Sequence, residues 1–136
     1  MSIVTTTANS VLNYLFGNTA YTSPTPLYVG LSTSNIFNTG TNIAEPIGGA
    51  YARVSIVNNK TTFTGANAGS LSNNITITFP ESTLEWGVIT DVFFGLGATV
   101  GVLDALYFQA LPSPKTVQTA TTISFAVGAI VISMTN

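Results

Sequence analysis

The chain has 136 residues, with three Lys or Arg, five Asp or Glu, and neither His nor Cys. A charged fraction of 6%, against an ordinary ~25%, leaves few groups that titrate near neutral pH. That composition excludes thiolate chemistry, disulfide scaffolds, His/Cys zinc sites and His-dependent serine triads, and three scattered cations, Arg53, Lys60 and Lys115, form no phosphate-binding surface, so nucleic acid is not expected as a partner.

The first element in chain order is a helix. Ala8, Val11, Leu12, Leu15 and Phe16 fall at helical spacing within residues 5–17. Thr5, Thr6 or Thr7 can cap its start and Gly17 suits the position after its end. This helix either lies on the domain or acts as an amphipathic arm for a neighbouring subunit. Strands are expected over 27–136. Leu27–Leu31 is a short apolar run between Pro26 and Ser32. Ser32–Gly49 is rich in Ser, Asn, Thr and Gly and reads as a long loop, a common interaction element. Ala50–Val57 alternates, with Ala52, Val54 and Ile56 on one face and Tyr51, Arg53 and Ser55 on the other.

Asn58–Asn73 reads as a polar loop. Asn74–Phe79 alternates most cleanly, placing Ile75, Ile77 and Phe79 together. Val88–Phe94 and Val102–Leu111 flank a Gly-rich segment and predict a β-hairpin with an exposed tip near Gly97. Pro112-Ser113-Pro114 is expected to break the chain, followed by short strands at Thr116–Gln118, Thr121–Phe125 and Ala129–Met134. Together these predict one all-β domain over 1–136: an antiparallel β-sandwich or jelly-roll-like barrel of seven or eight short strands with one short N-terminal helix. The longest apolar runs are too short for the ~20 residues of a membrane-spanning helix, and the N-terminus lacks a basic signal-peptide region, so no membrane partner is expected.

Few residues could carry chemistry. Glu81 and Glu85, beside Trp86, resemble the paired carboxylates of a glycosidase only in spacing, and solvated loop charges explain them better. Asp91 and Asp104 flank the Gly-rich segment symmetrically; they are expected to pair separately with Arg53 or Lys115, or to face solvent, rather than to share a metal. The run Gly95-Leu96-Gly97-Ala98-Thr99-Val100-Gly101 precedes a strand and lacks a P-loop lysine, so it is read as a hairpin turn. No cofactor is expected. The candidate interface residues are Trp86, Tyr28, Tyr51, Arg53, Leu12 and Phe16, since aromatic side chains and Arg dominate many interfaces. A net charge of −2 opposes association little.

The ordered motifs Leu27-Tyr28-Val29-Gly30-Leu31-Ser32-Thr33, Glu45-Pro46, Gly48-Gly49-Ala50-Tyr51-Ala52-Arg53-Val54, Ile77-Thr78-Phe79-Pro80, Trp86-Gly87, Pro114-Lys115-Thr116-Val117 and Ser124-Phe125-Ala126 resemble a family of small tailed-phage virion structural proteins, of the decoration, cement or tail-fibre kind. The resemblance implies a non-enzymatic virion component. It would pack against copies of itself, as a trimer or other homo-oligomer, and against the phage major capsid protein; the alternative is a tail-fibre or baseplate part that contacts other tail proteins and host glycans.

Overall fold

The structure, a computed structural model, describes residues 1–134; the last two positions of the expected strand region, 135–136, lie outside the described residues. In chain order the elements are β1 (Ser2–Ile3), α1 (Thr5–Leu15), β2 (Leu27–Ser32), β3 (Val54–Ile56), β4 (Ser70–Ser72), β5 (Ile77–Thr78), β6 (Gly87–Gly95), β7 (Ala105–Val117), β8 (Ser124–Phe125) and β9 (Val131–Ser133). All pairings are antiparallel: a five-stranded sheet in the order β1-β7-β6-β2-β3, and two small ladders, β4-β9 and β5-β8. The architecture is all-β and sandwich-like; no barrel closes among the described residues.

Both faces of the main sheet are covered. One face carries Val29, Leu31, Ile89, Val92 and Phe94, which pack with Phe63, Ile77, Phe79, Ile123 and Ile130 from the side of the small ladders. The other carries Phe93, Ala105 and Phe108, covered by Val4 and by Ile36 of the 32–49 loop. The apolar content of β6 follows from this, because a strand buried on both sides reads as a nearly continuous apolar run. A register shift between Ile89 and Asp91 flips the side-chain phase, so that Ile89, Val92 and Phe94 all reach the same layer.

The prolines that were expected to break the chain sit inside a 13-residue strand. Ile89 pairs with Lys115, but Asp91 pairs with Ala110. Residues 111–114 therefore leave the ladder as a bulge, where the missing Pro N–H costs no strand pairing. On its other side β7 is paired by β1 only at Tyr107 and Phe108. The expected strands Val102–Leu111 and Thr116–Gln118 are thus one bent strand.

Three other expectations are corrected. Ala50–Val57 is a strand only at Val54–Ile56, and its inward residues are Tyr51, Arg53 and Ile56, while Ala52 faces out. The phase slips at Val54, and ion pairing draws Arg53 inward. Ile75 is exposed, leaving Ile77 and Phe79 as the buried pair of that segment. The 58–73 stretch is not simply a polar loop. It buries Phe63 and the fully enclosed Asn73, whose Nδ2 donates to the carbonyls of Ile75 (2.9 Å) and Ala126 (2.8 Å) while its Oδ1 accepts from the Ile130 amide (2.8 Å). A polar residue serves here as a clip between segments because every one of those buried backbone groups needs a partner.

Gly30 sets the shape of the second face. A Cβ at that position would lie 2.3 Å from the Phe93 ring, and Phe93 is fully buried and cannot retreat. Gly30→Ala is therefore expected to destabilise the fold by about 1–3 kcal/mol through overpacking. Gly65→Ala meets open space at an ordinary φ and should be neutral or slightly stabilising. Urea-unfolding midpoints of the two variants against the parent check the pair.

Candidate functional site

Half of the charged side chains do not face solvent. Arg53 has a side chain with no exposed surface, and it is paired with Glu45 (2.8 Å) and Asp104 (2.6 Å). Its planar fork is fully used. Nε donates to Glu45 Oε1 (2.9 Å) and Nη2 to Glu45 Oε2 (2.8 Å), a bidentate pair. Nη2 also donates to the Val102 carbonyl (2.7 Å), and Nη1 donates to Asp104 Oδ1 (2.6 Å) and to the Gly97 carbonyl (2.9 Å). Five N–H groups thus meet five acceptors, a match lysine could not make.

Two carboxylates around one cation leave an excess negative charge, and backbone amides answer it. Gly101 N–H donates to Glu45 Oε2 (2.7 Å) and Gly97 N–H to Asp104 Oδ2 (2.7 Å). Burial works against the Arg53 charge, but the hydrogen bonds and charges of Glu45 and Asp104 outweigh it and hold its pKa above the ordinary value. The guanidinium also lies over the Phe93 ring, 4.9 Å from its centroid. Gly95 is required beside it, since a Cβ there would come within 2.8 Å of Asp104 Oδ1 and 3.0 Å of Arg53 Nη1. The effect is to tie three segments together: the 32–49 loop, the approach to β3, and the tip of the β6–β7 hairpin.

Tyr51 and Trp86 extend the same construction. The Tyr51 hydroxyl donates to Glu45 Oε1 (2.8 Å) and accepts from the Leu31 amide (2.8 Å). Its ring meets Trp86 edge-on, with centroids 5.3 Å apart. Trp86 Nε1 donates to the Gly49 carbonyl (2.8 Å). Gly49 has φ +58, and a Cβ there would press on the indole nitrogen at 2.9 Å. Burial pushes the Tyr51 hydroxyl far above the ordinary tyrosine range; the Leu31 amide partly offsets this, and the Glu45 carboxylate adds to the rise. Tyr51 is therefore a neutral hydrogen-bonding strut rather than an acid.

Of the six candidate interface residues, Trp86, Tyr51 and Arg53 belong to the interior, where their aromatic surface and donors are already engaged. Tyr28 is half-buried in β2. Leu12 and Phe16 remain exposed at 52% and 82%. Asp104 pairs with Arg53, one of the separate pairings expected. For Asp91 the expectation fails: it does not meet Asp104, it is buried opposite Ala110 in the ladder rather than facing solvent, and it forms no salt bridge among the described residues. Glu81 and Glu85 are exposed. No group of three or more Asp or Glu that could hold a metal occurs among the described residues, and no helix there is long and apolar enough to cross a membrane. The hairpin tip is exposed at residues 98–100, but Gly97 itself is half-buried and held by Arg53 and Asp104.

Glu45 is the residue that sequence reasoning missed. It stands in a motif, Glu45-Pro46, with no periodicity to mark it as internal. The alternation of Ala52, Val54 and Ile56 puts Arg53 on the opposite, polar face, so nothing local marks it as a buried ion in need of a counter-charge. What remains outside is a surface with very few free ions. Lys60, Lys115, Glu81 and Glu85 are the exposed charged residues, two of each sign.

The site is a structural clamp, and its chemistry yields two predictions. Arg53→Met should cost about 3–5 kcal/mol, because it strands the buried Glu45 carboxylate. Amide exchange at Gly97 and Gly101 should accelerate along with the loss in the urea midpoint. Tyr51 supplies a pH dependence. Below the ordinary tyrosine pKa of about 10, folded and unfolded chains both keep its proton, and its contribution is complete. Above that pH only the unfolded chain releases the proton, so stability falls as pH rises, by up to roughly 1.4 kcal/mol per pH unit. The urea midpoint should drop between about pH 9 and pH 11, and Tyr51→Phe should flatten that drop. The same change costs about 1–3 kcal/mol near neutral pH by leaving the Leu31 amide unpaired.

A family model described as Podophage GP4 fiber I protein gp80 matches residues 2–133. No curated protein matches the chain.

Proposed function

Because the chain belongs to this family of podophage fibre proteins, we propose that it is a fibre subunit of the virion that assembles with copies of itself on the tail, where it takes part in attachment to the host surface. Fibre-type structural proteins of phages act by shape and by contact, and this chain has the surface for both. The observation that carries the reading is the distribution of charge. Arg53, Glu45, Asp91 and Asp104 are drawn into the protein, and residues 1–44 contain no charged side chain at all.

A surface of that kind presents hydroxyls, amides and apolar atoms to its neighbours. Large apolar side chains stand out on it, among them Ile47 at 94%, Phe16 at 82% and Leu15 at 63% exposure. Copies meeting through such surfaces feel little mutual repulsion, and repeated weak contacts along an assembly add up to a stable one. The 32–49 loop is suited to present a fixed contact. Ser32 Oγ accepts from the Ala44 amide (3.1 Å) and Thr33 N–H donates to the Ala44 carbonyl (2.8 Å), closing the loop at its base while Phe37 and Ile47 face outward.

A second reading keeps the capsid: a cement protein on the head shell, in contact with the major capsid protein. The same helix and loop favour it, since shell joints also bury such surface and the loop's one charge, Glu45, is buried against Arg53. Copy number separates the two. Quantitative mass spectrometry of purified particles should find a few to tens of copies for a tail fibre; hundreds would replace that reading with the capsid one. The assembly itself has a distinct signature. Light scattering coupled to gel filtration should show self-association of the isolated protein that barely changes from low to high salt, because screening acts on charges this surface lacks. A monomer at all concentrations, or association abolished by salt, would count against a fibre held by uncharged contacts.

A further inference from the structure

Helix α1 is poorly buried by its own chain. Thr7 is its one buried residue. Leu12, Leu15 and Phe16 stand at positions i, i+3 and i+4, hence on one side of the helix and its end, exposed at 52%, 63% and 82%. Phe16 caps the helix, Gly17 follows with φ +71, and residues 16–23 are all exposed. Leu12 and Leu15 lie along a groove beside Met1, Ile3 and Met134, and Phe16 is left at the helix end as an apolar knob that its own fold leaves uncovered.

The same chain carries a socket. A cavity of about 580 Å³ opens at one end of the sandwich, between the main sheet and the β4-β9 ladder. Phe63 and Phe94 line its interior, and Leu71, Ile132 and Tyr107 its walls. Its shape is held in advance: Asn58 Nδ2 donates to Ser23 Oγ (3.0 Å) and to the Pro24 carbonyl (2.9 Å), fixing one wall. Apolar lining with a few polar groups at the mouth, at a volume within the usual ~300–1,000 Å³, describes a pocket for an apolar group. One ion stands on its rim. Lys60 lines the opening, is exposed, and forms no salt bridge among the described residues.

We propose that the C-terminal end of α1, led by Phe16, inserts into this cavity on a second copy of the chain. The proposal rests on the self-assembly reading above and deepens it by naming the contact. Three features favour a copy of this chain as the occupant. The cavity is large enough for an aromatic ring, and Phe16 is the most exposed large apolar side chain of the helix and its cap. The helix and everything up to residue 44 carry no charged side chain, so nothing on the knob opposes its burial. The helix end bears the negative pole of the helix dipole and has no basic residue in its last turn; Lys60 on the socket rim supplies the missing positive charge.

Knob and socket are formed by different residues, and repeated head to tail from copy to copy the contact is heterologous. Each copy offers a free socket to the next, and the association either closes into a ring or continues as a filament. That logic gives the test. Phe16→Asp removes the knob and leaves the socket. Gly65→Trp blocks the socket mouth from a position where a Cβ meets open space, and leaves the knob. Each purified variant, with folding verified by circular dichroism, should lose self-association by about tenfold or more in Kd. Lys60→Glu should weaken it by a smaller factor. An equimolar mixture of Phe16→Asp and Gly65→Trp should form a one-to-one dimer that grows no further, as seen by sedimentation. If either variant associates like the parent, or the mixture forms no dimer, this contact is wrong while assembly of the parent still stands. If the parent itself never associates, both readings fall.

Discussion

Arg53 is the residue on which the upper part of this protein is organised. A guanidinium without exposed surface is tolerable only when its charge and all its donors are met, because the desolvation penalty amounts to several kcal/mol per ion. Meeting that demand recruits Glu45 from a loop, Asp104 and two carbonyls from a hairpin tip, and two backbone amides, one donating to each carboxylate. None of these segments has the strand pairing to hold itself in place. The ion cluster gives them a single geometry. Its neighbours are shaped to fit: Gly95 leaves room beside it and Gly30 allows the Phe93 ring, on which Arg53 stacks, to lie across the sheet.

This internal use of charge has an external consequence. A protein with eight ions that assigns half of them to its interior keeps a surface close to neutral and nearly free of repulsion. For an enzyme or a freely diffusing protein that would be a liability for solubility. For a member of a fibre family it is consistent with a life in an assembly. The apolar residues outside are not scattered evenly either. They group at the end of α1 (Leu12, Tyr14, Leu15, Phe16) and at the β6–β7 hairpin tip (Leu96, Val100, Val102, Leu103), with Phe37 and Ile47 standing out on the 32–49 loop.

The candidate interface residues show how composition and position answer different questions. Trp86, Tyr51 and Arg53 are of the types that dominate interfaces, and the same properties, large apolar area together with a polar tip, suit an interior that must bridge loops. Trp86 grips the Gly49 carbonyl and Tyr51 meets Glu45. Leu12 and Phe16 follow from helical spacing alone; Leu12 keeps half its surface exposed along a groove beside Met1 and Ile3, and Phe16, past the helix end, stays outside.

Local pattern determined a good deal unaided: the all-β class, the N-terminal helix ending at a glycine, and the β6–β7 hairpin around its Gly-rich tip; for Asp104 it left Arg53, Lys115 and solvent open. Lack of imidazole and thiol also excludes thiolate and His-dependent catalysis. Tertiary structure decided the rest. It turned Arg53 and Tyr51 inward against the apolar alternation of Ala52 and Val54, carried β7 through two prolines by looping residues 111–114 out of the ladder, and made Asn73 and Glu45 internal. The reason is common to these cases. Periodicity reports which face of a strand is apolar, whereas a buried ion, a bulge or a clip is decided by partners dozens of residues away, and only the folded chain brings those partners together.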